Sequence, residues 1–253
     1  MTDVLASLEA YYDTAPRASA TATEVGPFTL FVRDDPAGWH FYARPRLGLD
    51  RPVSVADVDL VRSRQRALGV PESLEWVHET TPSLLAAARG SGMTVEECPL
   101  LVLDAPVEAP ATGATVRMLT AGDDLGPVLG AVDAGFAGVD DPGTRPPGRQ
   151  PVMIRDGLLA VAAAYDALGA VVGGGSHGPR GATTELTGIA VLPRARRRGV
   201  GAAITAALVG DARARGVRTV FLSAQDDTVA RVYERVGFAR LATSAVAEFR
   251  PAC

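Results

Sequence analysis

Two segments in the second half of the chain contain residues whose types and spacing could do chemistry. The first is TELTGIAVLPRARRRGVGAA, which starts at Thr184 and in which Arg196, Gly199 and Gly201 follow the pattern Arg/Gln-x-x-Gly-x-Gly/Ala. An apolar, strand-like run precedes the arginines, and a helical pattern follows the glycines. The N–H groups at a helix start have no partner inside the helix, and the helix dipole favours an anion there. Glycine allows close backbone approach and arginine adds charge-assisted bonds, so the segment predicts a pyrophosphate-binding turn.

Other interpretations of these glycines and arginines fit less well. The Rossmann fingerprint needs a third glycine where Ile204 stands, and no Gly-Lys-Ser/Thr sequence of a Walker A loop occurs. The glycine run at 173–175 therefore indicates the end of a hairpin strand rather than a phosphate loop. The arginine triplet 196–198 could also be a solvated basic face or a short nucleic-acid patch, and only a second motif argues against this.

That second motif is DTVARVYERVGF, which follows the apolar run VFLSA. Together the two segments resemble the GNAT superfamily of N-acetyltransferases, and Ala230, Tyr233, Gly237 and Phe238 keep the spacing of that family. The resemblance covers residues 116–249, about half of the chain.

The resemblance implies an α+β fold, in which a mixed, largely antiparallel sheet is flanked by helices, and acetyl-CoA as the acyl donor. In the family, the strand before the glycine turn pairs with the pantetheine arm, and the turn holds the pyrophosphate. Asp227 stands where the family often has Asn, and we interpret it as a helix N-cap. The implied cofactor-binding residues are Ile189, Ala190, Val191, Arg196, Arg197, Arg198, Gly199, Val200, Gly201 and Ala202.

The resemblance also implies catalytic residues, each with a plainer alternative. Tyr233 would donate a hydrogen bond to the departing thiolate, although helical periodicity alone favours a core aromatic. Glu185 would act as the base through water, and an exposed strand residue is an equal alternative. A backbone N–H near Ala190 or Val191, at a strand bulge, would polarise the thioester carbonyl.

Three further residues are weaker candidates for the acceptor side. His177 is the second choice for the base because of its pKa, but its loop, GSHGPRG, predicts solvent exposure. Asp140 and Asp141 lie in a loop rich in Pro and Gly and could bind a cationic acceptor. They are at least as typical of turn residues before a proline.

The chain divides at DAPVEAPATGAT, a segment rich in Pro and small residues that predicts a linker over 105–115. The second domain would be 116–253. The first, 1–104, would be a smaller α+β domain and a degenerate copy of the same fold, which makes the chain a tandem protein. Both halves follow the order helix, strand, helix, glycine, strand, and Gly92 aligns with Gly237. The first copy lacks the glycine turn, so we expect one bound coenzyme per chain.

Composition excludes several classes of function. The 253 residues carry a net charge of −4, and all 25 basic residues are arginine. This balance argues against a broad nucleic-acid interface. No metal-ligand spacing, signal peptide or membrane-spanning run occurs, and two cysteines favour a reducing cytoplasm. The sequence leaves the oligomeric state open. We expect acetyl transfer to a primary amine of a small molecule; the alternatives are a non-catalytic acyl-CoA sensor and an enzyme that acetylates peptide or protein N-termini.

Overall fold

The computed structural model describes residues 2–34, 40–107 and 110–250. None of the helices in these ranges is long and apolar enough to cross a membrane. The helices are α1 (Thr2–Thr14), α2 (Val55–Leu68), α3 (Ser83–Gly90), α4 (Gly126–Ala137), α5 (Gln150–Arg155), α6 (Val200–Ala214) and α7 (Asp227–Glu234). The strands are β1 (Ala20–Val25), β2 (Phe28–Arg33), β3 (Ala43–Pro45), β4 (Ser73–Val77), β5 (Thr94–Leu103), β6 (Thr115–Leu119), β7 (Ala160–Tyr165), β8 (Val171–His177), β9 (Thr183–Val191), β10 (Thr219–Ser223) and β11 (Phe238–Glu248).

The chain forms two compact units. The first contains Met1–Leu101, Ser223–Ala230 and Arg240–Cys253, and the second contains Val102–Leu222 and Arg231–Ala239. The C-terminal segment belongs to the first unit and not to the second domain expected from the sequence, because β11 pairs with β4. Whether 1–104 and 116–253 are separate domains stays a prediction.

In the first unit the strand order is β1-β2-β3-β4-β11-β5. Neighbouring strands β1, β2 and β3 are antiparallel, β3 and β4 are parallel, and β4 pairs antiparallel with β11. Helix α2 makes the crossover between the two parallel strands. The core of this unit contains Phe28, Leu30, Val58, Val61, Leu74, Trp76, Leu84, Ala88 and Ala245.

In the second unit the strand order is β6-β7-β8-β9-β10. The first four strands are antiparallel neighbours, whereas β9 and β10 are parallel and are joined by α6. In α6, the i, i+4, i+8 spacing of Ile204, Leu208 and Ala212 predicts an apolar stripe, and all three side chains are fully buried. Helices α4 and α6 both pack against β8 and β9.

The glycine run at 173–175 lies inside β8 and allows this packing. A Cβ added to Gly174 would lie 2.3 Å from Val128 Cγ2 in α4 and 2.9 Å from the Ala162 carbonyl oxygen. A Cβ added to Gly175 would lie 2.8 Å from Ile189 Cγ1 and 3.2 Å from Ile204 Cγ2 in α6. Successive residues of a strand point to opposite faces, so the glycines let a helix approach each face closely. The run thus has a packing role, in agreement with its interpretation as part of a strand.

The two units repeat one arrangement, a parallel βαβ crossover after antiparallel strands. The crossover helix α2 is followed by Gly69 with φ 67°, and α6 is followed by Gly216 with φ 80°. The next helix is followed by Gly92 with φ 79° in the first unit and by Gly237 with φ 113° in the second. These left-handed positions favour glycine, and they are the positions at which the two sequence halves align. The largely antiparallel sheets with their flanking helices confirm the α+β fold class predicted from the sequence.

Two elements are missing from the sequence-based prediction. The sequence pattern does not predict strand β1, because this strand alternates small and polar residues and buries only Ala20. Helix α5 lies in a segment rich in Pro and Gly, but Pro151 occupies the first turn, where a missing N–H does no harm. The apolar runs GPFTLFVRD and GWHFYARP, separated by turn residues 34–38, predict a hairpin. Strands β2 and β3 pair antiparallel as this predicts, and residues 35–38 of the turn lie outside the described residues.

Replacing Gly174 with Ala should lower the free energy of unfolding by about 1–3 kcal/mol, because the added methyl group overlaps Val128 and the Ala162 carbonyl. Chemical denaturation measures the loss. Gly210→Ala in α6 is the control, because an added Cβ there meets nothing within 4 Å. The control should gain about 0.5–1 kcal/mol from lower backbone entropy in the unfolded chain. Equal stability of Gly174→Ala and the wild type would contradict the packing role.

Candidate functional site

Strand β9 carries a bulge at the start of residues 189–191, the part of the strand that is predicted to bind the coenzyme. Gly174 is opposite Ala190 and Ser176 is opposite Thr187, so β9 has one more residue than β8 in this interval. The bulge falls at Gly188, whose φ is 62°, and the next residue. A bulge takes a residue out of the regular ladder and turns its backbone groups. The bulge expected near Ala190 is therefore present, one or two residues earlier along the strand.

The turn between β9 and α6 exposes the start of the helix. Gly199 has φ 77° and acts as the N-cap, and its carbonyl accepts the first helical hydrogen bond from Ala203 N–H at 2.9 Å. In the part of the chain that the structure describes, no side chain caps this helix start. The N–H groups of Val200, Gly201 and Ala202 therefore have no acceptor within the helix. This is the geometry that binds a phosphate at a helix N-terminus.

Arg197 has an unusual backbone conformation in the same turn. Its φ is 59°, the only positive value of a non-glycine residue in the described ranges. A left-handed conformation costs an L-residue roughly 1–2 kcal/mol. Arg197 and Gly199 are both left-handed, and left-handed residues within a turn can direct nearby N–H groups toward one point, as in anion-binding concavities. The exposed side chains of Arg197 and Arg198 add positive charge beside it.

The Arg196 side chain is exposed, and its guanidinium also holds the turn through two hydrogen bonds. Its Nε donates to the Val191 carbonyl at 3.0 Å, and its Nη2 donates to the Gly135 carbonyl in α4. Gly135 lets α4 approach the end of β9 closely, since a Cβ there would lie 2.9 Å from Ala190 Cβ. Arg196 thus ties the end of β9, the turn and α4 together. Its predicted contact with the pyrophosphate stays a prediction.

The acidic loop residue Asp140 also supports this region. Its carboxylate accepts from the Arg194 N–H at 2.8 Å, and its carbonyl accepts from Arg194 Nη1 at 2.6 Å. The loop is thereby fixed to the short 3-10 turn just before Arg196. Asp141 is exposed. Of the two predicted acceptor ligands, Asp140 is therefore engaged within the protein.

Tyr233 lies at the C-terminal end of α7, with its ring edge-to-face against Phe238 at a centroid distance of 6.0 Å. The side chain keeps partial exposure, while burial raises the pKa of Tyr233 to about 12. The phenol therefore stays protonated at neutral pH and can donate a hydrogen bond while keeping its proton. Transfer of its proton to a thiolate of ordinary pKa 8.5 would be uphill by roughly 5 kcal/mol.

Glu185 lies in the first half of β9, opposite Phe221 of the parallel strand β10. It is half-buried rather than exposed. Its neighbour Thr184 hydrogen-bonds to His177 beside α6, so strand alternation places Glu185 on the opposite face of the sheet, on which α4 packs. The two predicted catalytic side chains therefore belong to separate elements, β9 and α7.

His177 differs from its expected position. It is the last residue of β8 and is fully buried, so the predicted loop exposure was wrong. Nε2 lies 2.8 Å from Asp211 Oδ2, and Nδ1 lies 3.1 Å from Thr184 Oγ1. With Asp211 ionised, Nε2 must donate, and a neutral ring then accepts from the Thr184 hydroxyl at Nδ1. Both nitrogens are thus used inside the protein.

The charges around His177 favour the neutral ring. Burial lowers the pKa of His177 against the opposing influence of Asp211, and Arg215 lowers it further. For Asp211, burial acts to raise the pKa, but hydrogen bonds from Arg215 and His177 outweigh it, and the pKa is lowered. The group therefore joins β8, β9 and α6 as a neutral histidine on an ionised aspartate. The residue pattern of β8 does not indicate this half-buried partner on α6.

The N-cap of α7 is Asp226, so the assignment of this role to Asp227 was wrong. The Asp226 carboxylate accepts from Thr228 N–H at 2.7 Å and from Val229 N–H at 2.9 Å. Asp227 instead accepts from Arg240 Nη1 at 2.6 Å. The two adjacent aspartates could not be told apart by type, because either is a good N-cap.

The crossover helix of the first unit begins differently from α6. Ser54 Oγ accepts from Asp57 N–H, and the Asp57 carboxylate accepts from Ser54 N–H at 2.9 Å, which is a capping box. Arg51 Nη2 lies 2.9 Å from Asp57 Oδ1 and holds the pKa of that carboxyl well below its ordinary value. A carboxylate therefore occupies the start of α2, where α6 leaves its N–H groups open.

The comparisons with known proteins agree with this geometry. Residues 139–238 match the model of the acetyltransferase (GNAT) family, which confirms the resemblance inferred from the two motifs and indicates acyl transfer from acetyl-CoA. None of the curated protein sequences matches the chain significantly.

Solved structures share the fold at low sequence identity. A GCN5-related N-acetyltransferase from Kribbella flavida is 20% identical with a TM-score of 0.78, over 98% of this chain and 96% of that one. A GCN5-related N-acetyltransferase-like protein from Streptococcus suis is 14% identical with a TM-score of 0.59, over 99% and 100%. A tandem GNAT protein from the clavulanic acid biosynthesis pathway is 15% identical with a TM-score of 0.56, over 90% and 80%. These likenesses show the fold.

The His177 group should make stability depend on pH. Since the pKa of His177 is lowered on folding, its contribution is complete above the ordinary value of 6.5 and is lost as the pH falls below it. His177→Gln removes this ionisation, so the stability difference from the wild type should shrink by up to about 1.4 kcal/mol per pH unit below pH 6.5. Urea unfolding at pH 8.0, 6.5 and 5.5 measures it. A difference that is constant over this range would contradict the neutral buried ring.

Proposed function

We propose that the chain transfers the acetyl group of acetyl-CoA to a primary amine of a small molecule. The observation that carries the proposal is the open N-terminus of α6, which lies beyond the bulged strand β9 and inside the region that matches the GNAT family. The coenzyme fits this turn on physical grounds. Gly201 carries no side chain that would screen the N–H groups, and no side chain in the described ranges caps the helix start.

The chain's own residues would polarise the thioester carbonyl, hold the pyrophosphate and handle the protons. When bound, acetyl-CoA supplies an activated thioester carbonyl and a thiolate leaving group. The backbone at the β9 bulge, Gly188 and Ile189, would donate an N–H to the carbonyl oxygen as charge develops on it. The N–H groups of Val200, Gly201 and Ala202, together with Arg197 and Arg198, would hold the pyrophosphate.

Proton handling would be divided between two side chains. Glu185 would accept the proton of the acceptor ammonium through a water molecule, since an alkylammonium with an ordinary pKa of about 10.4 is not a nucleophile. Tyr233 would donate a hydrogen bond to the leaving sulfur, because its high pKa opposes proton transfer. His177 is left out of the mechanism, because it is buried and both of its ring nitrogens have partners. Asp141 stays the candidate that would attract a cationic acceptor.

One coenzyme per chain is expected, with its pyrophosphate at α6. The Ser54 and Asp57 side chains fill the corresponding position at α2, and a carboxylate there would repel a phosphate. Titration calorimetry with acetyl-CoA should therefore give a stoichiometry of one. Gly201→Val should weaken binding at least tenfold, which is about 1.4 kcal/mol, because its methyl groups would cover the N–H groups.

Gly201→Val should still fold, since a Cβ at this position makes an ordinary 3.8 Å contact with Val191 Cγ2. The matched control is Gly210→Val, the same change in the open part of the same helix. Unchanged affinity in a folded Gly201→Val protein would refute the pyrophosphate turn, and two equivalent sites would refute the single-site expectation.

The function itself is tested by release of CoA thiol from acetyl-CoA against a panel of small amines and short peptides. Tyr233→Phe should lower kcat about 10- to 100-fold at nearly constant coenzyme affinity, the magnitude of a hydrogen bond to a developing charge. The phenyl ring keeps the contact with Phe238, so packing is preserved. Binding without thiol release on any amine would favour an acyl-CoA sensor, and release with peptides alone would favour peptide acetylation. An unchanged kcat would reduce Tyr233 to a packing residue.

A further inference from the structure

The segment before β6, expected from its composition to be a plain linker, contacts both motif glycines of the second unit. At one end, Asp104 N–H and Ala105 N–H each donate to the Gly237 carbonyl at 3.0 Å. A Cβ added to Gly237 would lie 3.1 Å from the Ala105 carbonyl oxygen and 3.4 Å from that of Pro106. This end is thus fixed to the backbone beside Tyr233 and Phe238.

The other contact is with the pyrophosphate turn. A Cβ added to Gly199 would lie 3.3 Å from Pro110 Cγ, 3.6 Å from Pro110 Cβ and 3.7 Å from the Ala111 carbonyl oxygen. The pyrrolidine ring of Pro110 therefore packs against the backbone of Gly199 and is half-buried. Gly199 is the residue whose carbonyl accepts from Ala203 and so sets the first turn of α6.

We propose that Pro110 is a positioning residue, whose ring holds Gly199 in the left-handed conformation that aims the N–H groups of α6 at the coenzyme. Gly199 has no side chain that could restrict its backbone, and glycine can adopt many other φ/ψ combinations besides the left-handed one. A proline has a fixed φ and loses little entropy when it packs, so it is well suited to hold a flexible neighbour. The inference rests on the proposed function for its ligand, acetyl-CoA.

The linker would then act as part of the coenzyme site rather than as a spacer. Arg196 holds one side of the turn through Val191 and Gly135, and Pro110 packs on it at Gly199. A turn held in this way is organised before the ligand arrives, so binding costs less conformational entropy. Two features favour glycine at position 199: its φ of 77°, and the Pro110 ring, which leaves little room for a Cβ.

The test compares Pro110→Gly, Pro110→Ala and Pro106→Ala in the full chain. Pro110→Gly should weaken acetyl-CoA binding about threefold to tenfold through lost preorganisation. Pro110→Ala should have a smaller effect, because it keeps the Cβ and loses only Cγ and the ring. Pro106→Ala is the matched control and should bind as the wild type does, because Pro106 approaches Gly237 through its carbonyl, which alanine retains.

Amide hydrogen exchange without ligand separates positioning from general destabilisation. In Pro110→Gly, protection of the Ala203 amide should fall, while that of the β8 amides stays unchanged. An equal loss across the second unit, or wild-type affinity in a folded Pro110→Gly protein, would overturn the inference. A wild-type protein that does not bind acetyl-CoA would instead refute the proposed function, so the two failures are distinguishable.

Discussion

The three open N–H groups at the start of α6 are the constraint on which the rest of the second unit depends. Such groups gain from a ligand only if they converge and stay in place, and a helix start whose N-cap is glycine does not fix itself. Arg196 ties the turn to β9 and α4 through two backbone carbonyls. Arg197 accepts a left-handed conformation in the same turn. The local cost is offset by the packing around it, as is typical of functional sites.

Close packing of helices on β8 and β9 serves the same constraint. Glycines 174 and 175 let α4 and α6 approach opposite faces of the sheet, and Gly135 brings α4 against the end of β9. The pair of buried His177 and half-buried Asp211 then joins the C-terminal part of α6 to β8. The sheet, both helices and the turn are thus held as one body, so the direction of the open N–H groups follows from the core.

The sequence predicts the fold class, the order of the main elements and the turn, because these rest on local patterns: hydrophobic period, glycine at left-handed positions and a two-part motif. It fails where the partner is distant in sequence. The burial of His177 depends on Asp211, 34 residues later, and the direction of the Arg196 side chain depends on Gly135, 61 residues earlier. The contact of Pro110 with Gly199 is of the same kind, since composition indicates a linker but not where it lies. Adjacent Asp226 and Asp227 show a different limit, in that two equally good caps cannot be separated by residue type.

Both units contain a βαβ crossover, but the two crossover helices begin in different ways. Both α2 and α6 link parallel strands, and each begins with N–H groups that need a partner. At α2 the partners come from Ser54 and Asp57, and Arg51 balances the added negative charge. At α6 a glycine turn replaces the capping side chains, and arginines surround it. A capping box stabilises a helix by roughly 1 kcal/mol, so α6 forgoes that amount to keep its N-terminus open. The fold is therefore compatible with either kind of helix start, and the closed start of α2 and the open start of α6 are the reason why we propose the coenzyme site for the second unit alone.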